Sequence, residues 1–213
     1  MVDRDARLLE AWQGGDQPSG DLLVRRHFWA VYRFFRSKTE AAAEDLTQRT
    51  FLACVEAKGR VDARLGFRAY LFGIARYQLT NYLRRLGRTH RIFAPDQHSV
   101  ADLQRTPPDA GIVRGDERRA LLHALRRLPV DHQIAIELYY WERMPLAAIA
   151  AVIDVAEGTV KSRLGRARRM LRDELARMQV RPQSLESSLE NLEAWAARLR
   201  PTAAVDPSAE RRA

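Results

Sequence analysis

The sequence contains a single cysteine, Cys54, and no apolar run that approaches the roughly 20 residues needed to cross a bilayer. One cysteine forms neither an internal disulfide framework nor a cysteine zinc site, and its apolar helical surroundings indicate a small buried hydrophobe. The first ten residues are polar and charged, without the apolar core of a signal peptide. These absences favour a protein of a reducing, cytoplasmic compartment.

Side chains that carry chemistry are also scarce and scattered. The sequence shows no group of carboxylates of the kind that metal-assisted hydrolysis requires. The five histidines are dispersed along the chain: His27, His90, His98, His123 and His132. A nuclease or another nucleic-acid enzyme is therefore disfavoured. We expect no catalytic residue, no metal and no cofactor.

Positive charge is abundant. The formal net charge is +9 and the isoelectric point is about 10.4. Such a balance favours a polyanionic partner, either nucleic acid or an anionic membrane surface, although a generally basic surface would give the same total. With 213 residues, of which 46% are hydrophobic, the chain is long enough for one large domain or two small ones.

Apolar residues recur at helical spacing along nearly the whole chain, and no convincing alternating strand occurs. The predicted fold class is all-α, with two helical domains at residues 6–88 and 116–180. A flexible linker at residues 89–115 contains Pro95, Pro107 and Pro108, which interrupt any long helix. Residues 181–213 are a C-terminal extension, predicted as a helix followed by a disordered tail.

Two helices of the first domain have recognisable apolar faces. One carries Leu22, Leu23, Val24, Phe28, Val31, Tyr32 and Phe35, widened by Trp29 and Phe34. In the next, Thr39 or a neighbour is the expected N-cap, and early acidic residues suit the positive end of the helix dipole. Its expected core stripe is Leu46, Phe51, Leu52 and Val55.

The long helix that follows lies in a stretch of one-sign charge. Residues 63–95 contain no Asp or Glu but seven arginines, interleaved with Tyr70, Tyr77, Tyr82 and Asn81. A solvated helix face usually mixes both signs, whereas cations with flat rings are typical of a groove that holds nucleic acid. The tyrosines could instead belong to the core, and both interpretations stand at this point.

The second domain contains a helix-turn-helix pattern. Pro145 suits the start of its first helix, DVAEG forms the turn, and the second helix runs from near Gly158 to about Met178. The expected shared core is Ile149, Val152, Val155, Val160 and Leu164. Basic and hydroxyl residues lead the second helix, as in helices that enter the major groove. The alternative is a solvated basic helix packed only through its apolar side.

These motifs together resemble one family. EDLTQRTF at residues 44–51, FRAYLFGIARYQLTNYLRR at 67–85, and EGTVKSRLGRARRMLRDEL at 157–175 with ALRRLP upstream occur in the order of the extracytoplasmic-function sigma factors. These are the minimal sigma-70-type subunits of RNA polymerase. The resemblance implies a region 2-like domain, a region 4-like domain, and no catalytic activity of the chain itself.

The resemblance also implies a role for each segment. Residues facing the polymerase core would be Glu44, Asp45, Gln48 and Phe51. Residues recognising and melting the −10 promoter element would be Arg60, Asp62, Arg64, Arg76, Tyr77, Asn81, Arg84 and Arg85. Residues reading the −35 element would be Thr159, Lys161, Ser162, Arg163, Arg166 and Arg169. Implied partners are the beta and beta-prime subunits of core polymerase, promoter DNA and an anti-sigma factor, in the cytoplasm or on the nucleoid.

Some residues depart from the family pattern. Ala148 stands where Glu is usual, Asp154 where Gly is frequent in the turn, Tyr70 where Trp is frequent, Tyr77 where Asn is frequent, and Gly165 where a bulkier residue is frequent. Asp tolerates left-handed backbone fairly well, so the turn is still expected. The departures bear on which promoter is read, because base preference resides in such side chains.

The role of the C-terminal extension and the function of the chain each have two interpretations. The extension carries a short heptad stripe of Leu185, Leu189, Leu192, Ala196 and Leu199, ended by Pro201. It would either dock on the body or a partner and regulate activity, or simply pack on the second domain. The alternative function is an autonomous helix-turn-helix regulator, which would usually need to dimerise and leaves the acidic EDLTQRTF segment unexplained.

Overall fold

The computed structural model describes residues 4–57, 66–86, 94–101 and 117–178. The first block contains α1 (Arg4–Gln13), α2 (Gln17–Arg36), α3 (Ala43–Glu56) and α4 (Gly66–Leu86). The second contains α5 (Glu117–Arg126), α6 (Val130–Ile136), a π-helical turn (Glu137–Trp141), α7 (Leu146–Ile153) and α8 (Glu157–Arg177). The described residues thus confirm the all-α prediction. None of their helices is both long enough and apolar enough to span a membrane.

The first block packs around α4. Phe35, Phe67, Phe72 and Leu23 are fully buried there. The α1 helix begins at Arg4, two residues before the predicted domain boundary, and it buries Asp5 against His27. Gly20 allows α1 and α2 to approach closely, because a Cβ at residue 20 would meet the Trp12 indole nitrogen at 2.4 Å.

The predicted cap and core stripe of α3 are wrong in part. The N-cap is Ala42, without a side-chain hydrogen bond, whereas Thr39 is buried with its hydroxyl 3.3 Å from the Tyr82 hydroxyl. Leu52 and Val55 are exposed by 60% and 46%, and Leu22 of α2 is likewise exposed. The buried positions of α3 are instead Ala43, Leu46, Thr47, Thr50, Phe51 and Cys54.

Part of the predicted flexible linker is packed against the second block. Residues 94–101 form a turn and the start of a helix, and Val100 is fully buried. The backbone amides of Val130 and Asp131 donate to the carbonyls of His98 (3.0 Å) and Pro95 (2.9 Å). The prediction of a flexible connection is therefore wrong for these residues, since Pro95 forms a turn that anchors α6. The extension and the heptad stripe lie outside the described residues.

The helix-turn-helix forms as predicted. The α7 helix starts after Pro145 and ends at Ile153, and its C-cap Asp154 has a left-handed backbone with φ of 55° and ψ of 57°. Ile149, Val152, Val160 and Leu164 are buried between α7 and α8, and Val155 is half-buried. The left-handed aspartate turns the chain sharply enough for α8 to cross α7.

The two blocks also pack against each other. The α7 helix packs on α4 as well as on α8. The Arg126 guanidinium of α5 donates to the carbonyls of Ser37 (2.7 Å) and Arg36 (3.3 Å) at the end of α2. A cation at this position satisfies terminal carbonyls and complements the helix dipole. The described parts of the two predicted domains therefore form one continuous packed body.

Candidate nucleic-acid interface

The leading turns of α8 present a row of polar side chains to solvent. Val160 and Leu164 are buried on the opposite side and hold the helix on α7. Five of the six predicted −35 residues are exposed: Thr159, Lys161, Ser162, Arg166 and Arg169. Hydroxyl and cationic groups at the start of a recognition helix can contact phosphate and guanine edges.

The sixth residue of the row, Arg163, is held away from solvent. Its Nη1 lies 3.2 Å from Oδ2 of Asp131, and its side chain is only 12% exposed. Burial lowers the pKa of the adjacent His132, and the positive charges of Arg163 and Arg166 lower it further against the opposing effect of Asp131. A buried His132 therefore favours the neutral imidazole between these cations.

The α4 helix carries the predicted −10 residues of the described range. Tyr77 is 64% exposed, Arg84 and Arg85 are exposed, and Asn81 is half-buried. This exposure excludes the core interpretation for the Tyr77 ring. Tyr82 instead is half-buried and lies near Thr39.

Arg76 of the same helix is not free. Its guanidinium donates to both oxygens of Asp131, at 3.1 and 3.3 Å. The structure thus brings Arg76 and Arg163 to the same carboxylate, although they belong to different predicted binding surfaces. The other predicted −10 residues, Arg60, Asp62 and Arg64, lie outside the described residues.

The α3 helix presents a separate exposed stripe. Glu44, Asp45 and Gln48 are exposed, and Leu52 and Val55 continue the same helix face towards its C-terminus. Among the described residues, Asp45 pairs with its own-helix neighbour Arg49, at 2.8 Å, where both side chains are more than half exposed. The stripe thus offers acidic, amide and apolar groups to a partner helix. These five residues form the α3 stripe.

Phe51, predicted to belong to this contact surface, is in the core. Only 8% of it is exposed, and its ring stacks on Phe28 with centroids 6.0 Å apart. It supports the helix rather than presenting itself to solvent. Sequence reasoning missed Leu52 and Val55 as surface residues, although their spacing of seven from Asp45 and Gln48 places them on the same face. It also missed Asp131, for which the sequence gives no signal.

Comparison with known proteins matches both blocks. Residues 23–89 match the family described as Sigma-70 region 2, and residues 118–171 match Sigma-70, region 4. The chain is 34% identical over 172 residues to the ECF RNA polymerase sigma factor SigM of Mycobacterium tuberculosis, covering 78% of this chain and 82% of that protein. It is 29% identical over 180 residues to the RNA polymerase sigma-H factor of Pseudomonas aeruginosa, covering 78% and 91%.

Two solved structures are similar in fold. CnrH in complex with the cytosolic domain of CnrY matches with a TM-score of 0.60 and 27% identity, over 82% of this chain and 98% of that chain. The sigma factor RpoE of Bartonella quintana in complex with the anti-sigma factor NepR matches with a TM-score of 0.57 and 25% identity, over 73% and 96%. These matches, together with the helix-turn-helix that carries the exposed basic row, show that the chain belongs to the extracytoplasmic-function group of sigma-70-type RNA polymerase sigma factors.

Proposed function

We propose that the chain binds core RNA polymerase through the α3 stripe and directs it to promoters through α4 and α8. The observation that carries this proposal is the exposed row at the start of α8, which sits on a well-packed helix-turn-helix and contains no acidic residue between Glu157 and Asp173. The row reads the −35 element, with Lys161 and Arg166 reaching furthest because they are long and exposed.

The α4 helix supports the second half of the proposal. Arg84 and Arg85 contact the phosphates of the −10 element, and the exposed Tyr77 ring stacks on an unpaired base. The resemblance assigns Arg60, Asp62 and Arg64 to the same promoter element, and these three lie outside the described residues. Bond formation belongs to the polymerase, so this chain supplies binding and melting rather than catalysis and needs no cofactor.

The proposed sigma-factor function also implies which proteins bind this chain. The α3 stripe packs on the beta-prime subunit of the polymerase core, with the exposed leucine and valine buried in the contact and the carboxylates paired with cations of the partner. The relatives CnrH and RpoE were solved with CnrY and the anti-sigma factor NepR. We propose that an anti-sigma partner likewise holds this chain in the cytoplasm, away from the polymerase and the nucleoid.

Run-off transcription tests the proposal. Purified chain is added to bacterial core polymerase on a pool of promoter fragments, beside the triple variant Glu44→Ala, Asp45→Ala and Gln48→Ala. Phe51 is left intact because its removal would damage the core. The matched control, Glu10→Ala with Asp21→Ala, removes two exposed carboxylates on α1 and α2. We expect specific transcripts from the wild type and the control, and at least tenfold fewer from the triple variant.

Core binding is read in the same mixtures. The triple variant should elute apart from the polymerase in gel filtration while still binding duplex DNA. A second variant, Lys161→Ala with Arg166→Ala, should remain with the polymerase but lose promoter selectivity. A wild-type chain that shifts duplex DNA but neither binds the core nor starts transcripts would replace the sigma assignment with the autonomous regulator.

A further inference from the structure

Three carboxylates of the second block lie at its boundary with the first. They are Asp131 on α6, Glu137 in the π-helical turn and Glu142 just after it. Asp131 and Glu137 are 4% and 3% exposed, and the Glu142 side chain is 11% exposed. Carboxylates are seldom buried to this extent unless they are paired with cations.

Each of these carboxylates pairs with cations of the first block. Glu142 accepts from Arg68 at 2.7 Å and from Arg33 at 3.4 Å. Glu137 forms a buried ion pair with Lys38 and accepts from Ser37 at 2.8 Å. The two blocks are therefore joined by complementary charge as well as by apolar packing.

Asp131 differs from the other two because the two arginines that pair with it come from different blocks. Arg76 of α4 approaches at 3.1 Å and Arg163 of α8 at 3.2 Å. The Asp131 carboxylate gives each of the two arginines a charged oxygen acceptor, as a DNA phosphate would. Both arginines are among the residues that the family resemblance predicts as DNA contacts.

The geometry is incompatible with simultaneous contact of both promoter elements. The −10 and −35 elements are centred about 25 base pairs apart, which at about 3.4 Å per base pair is about 85 Å of duplex. Here, nitrogen atoms of Arg76 and Arg163 both lie within 3.3 Å of one carboxylate. The blocks must separate before α4 and α8 can occupy the two elements together.

We propose that Asp131 is an autoinhibitory contact that stands in for DNA phosphate and holds the free chain closed, with Arg76 and Arg163 masked. The inference rests on the proposed function, because it takes both arginines to be DNA ligands. Opening exchanges the Asp131 carboxylate for phosphate on both arginines and exposes all three boundary carboxylates to water.

The free energy needed to separate the two blocks is smaller than the ion pairs at their boundary suggest. Buried ion pairs contribute little net stability, because rehydration of both partners offsets the lost attraction. The pairs of Glu142 line a cleft of about 540 Å³ that also reaches Arg26 and Met144, so water already approaches this part of the boundary. Separation of the blocks therefore requires far less free energy than the number of ion pairs suggests.

The test compares Asp131→Asn with Glu174→Gln in the full-length chain. Glu174 is a matched control, because its pairs with Arg127 and Arg177 stay within the second block and its loss changes the net charge equally. Spin labels at Glu10→Cys on α1 and Arg172→Cys on α8 report the distance between blocks, since both sites are exposed and Cys54 is buried. Affinity is measured by fluorescence anisotropy on a labelled duplex of mixed sequence, so that the measurement does not depend on the transcription assay.

We expect Asp131→Asn to shift the label distances to a longer population and to bind the duplex about tenfold more tightly than Glu174→Gln, a factor typical of coupling between sites. Unchanged distances overturn the proposal. Longer distances with unchanged affinity also overturn it, because the contact then masks nothing. Transcription with core polymerase tests the proposed function separately, so its failure is distinguishable from a failure of the closed state.

A second variant keeps the proposal testable if Asp131→Asn does not fold. If circular dichroism shows that Asp131→Asn is unfolded, Glu142→Gln takes its place, because Glu142 pairs with Arg33 and Arg68 of the first block at the edge of the cleft. Longer label distances in this variant, with DNA affinity raised above that of Glu174→Gln, support the closed state. Distances and affinity equal to those of Glu174→Gln overturn it.

Discussion

Burial of Cys54 in the core suppresses the reactivity of its thiol. It is 1% exposed, and burial raises the pKa of its thiol to about 12. Because the thiolate is the reactive species, at pH 8 only roughly one thiol in ten thousand is ionised. We predict that dithionitrobenzoate labels the native chain at least 100-fold more slowly than free cysteine, and labels one thiol promptly in guanidinium. Prompt labelling of the native chain would contradict this burial.

His132 gives a pH-dependent effect on stability. Its pKa is lowered first by burial and then by Arg163 and Arg166, so the folded chain binds fewer protons than the unfolded chain between the lowered pKa and about 6.5. Stability therefore falls as pH decreases through this window. We predict that the urea midpoint drops between pH 7.5 and pH 5.5, and that His132→Gln makes the drop smaller. An equal drop in both proteins would remove His132 as its cause.

At the scale of the element, two helical glycines should respond oppositely to alanine. A Cβ at Gly165 in α8 meets no atom within 4 Å, so Gly165→Ala should raise the free energy of unfolding by about 0.5–1 kcal/mol. A Cβ at Gly20 in α2 would overlap the Trp12 ring, so Gly20→Ala should be destabilising by about 1–3 kcal/mol. Urea titration of both variants gives the sign, and equal signs would refute the packing described here.

Hydrophobic periodicity predicts the core residues of some helices correctly and those of α3 in part wrongly. It predicts α7, the turn and α8, because close packing of Ile149, Val152 and Val160 requires apolar side chains at every contact. In α3 it selects Leu52 and Val55 for the core, whereas the buried residues include Thr47 and Thr50. Their hydroxyls donate to the carbonyls four residues earlier, each at 2.7 Å, so threonine is buried there without an unsatisfied donor.

The sequence predicts two domains but not their closed arrangement. The helix-turn-helix and the arginine-rich helix are local patterns that spacing predicts, whereas the roles of their side chains are expected from the family resemblance. The pairing of Asp131 with Arg76, or of Glu137 with Lys38, joins residues 55 and 99 positions apart. Nothing in local periodicity specifies such partners, because each charge looks like an ordinary solvated residue until the fold brings it to the boundary.

Lys38 and Glu137 form an ion pair whose two side chains are buried where the blocks meet. Burial lowers the pKa of Lys38 while Glu137 opposes the shift, and the ammonium also lies 3.8 Å from the centroid of the Phe34 ring. Lys38→Met leaves Glu137 buried without its cation, which should be destabilising by about 3–5 kcal/mol. Adding Glu137→Gln removes the second charge and keeps an oxygen that accepts from Ser37, so the double variant should regain most of the loss.

Urea titration of the wild type, both single variants and the double variant yields the coupling free energy as a double-mutant cycle. A large coupling means that the boundary of the two blocks depends on this ion pair. If the losses of the single variants simply add, each charge is satisfied independently, and apolar packing between α4 and α7 is what joins the blocks.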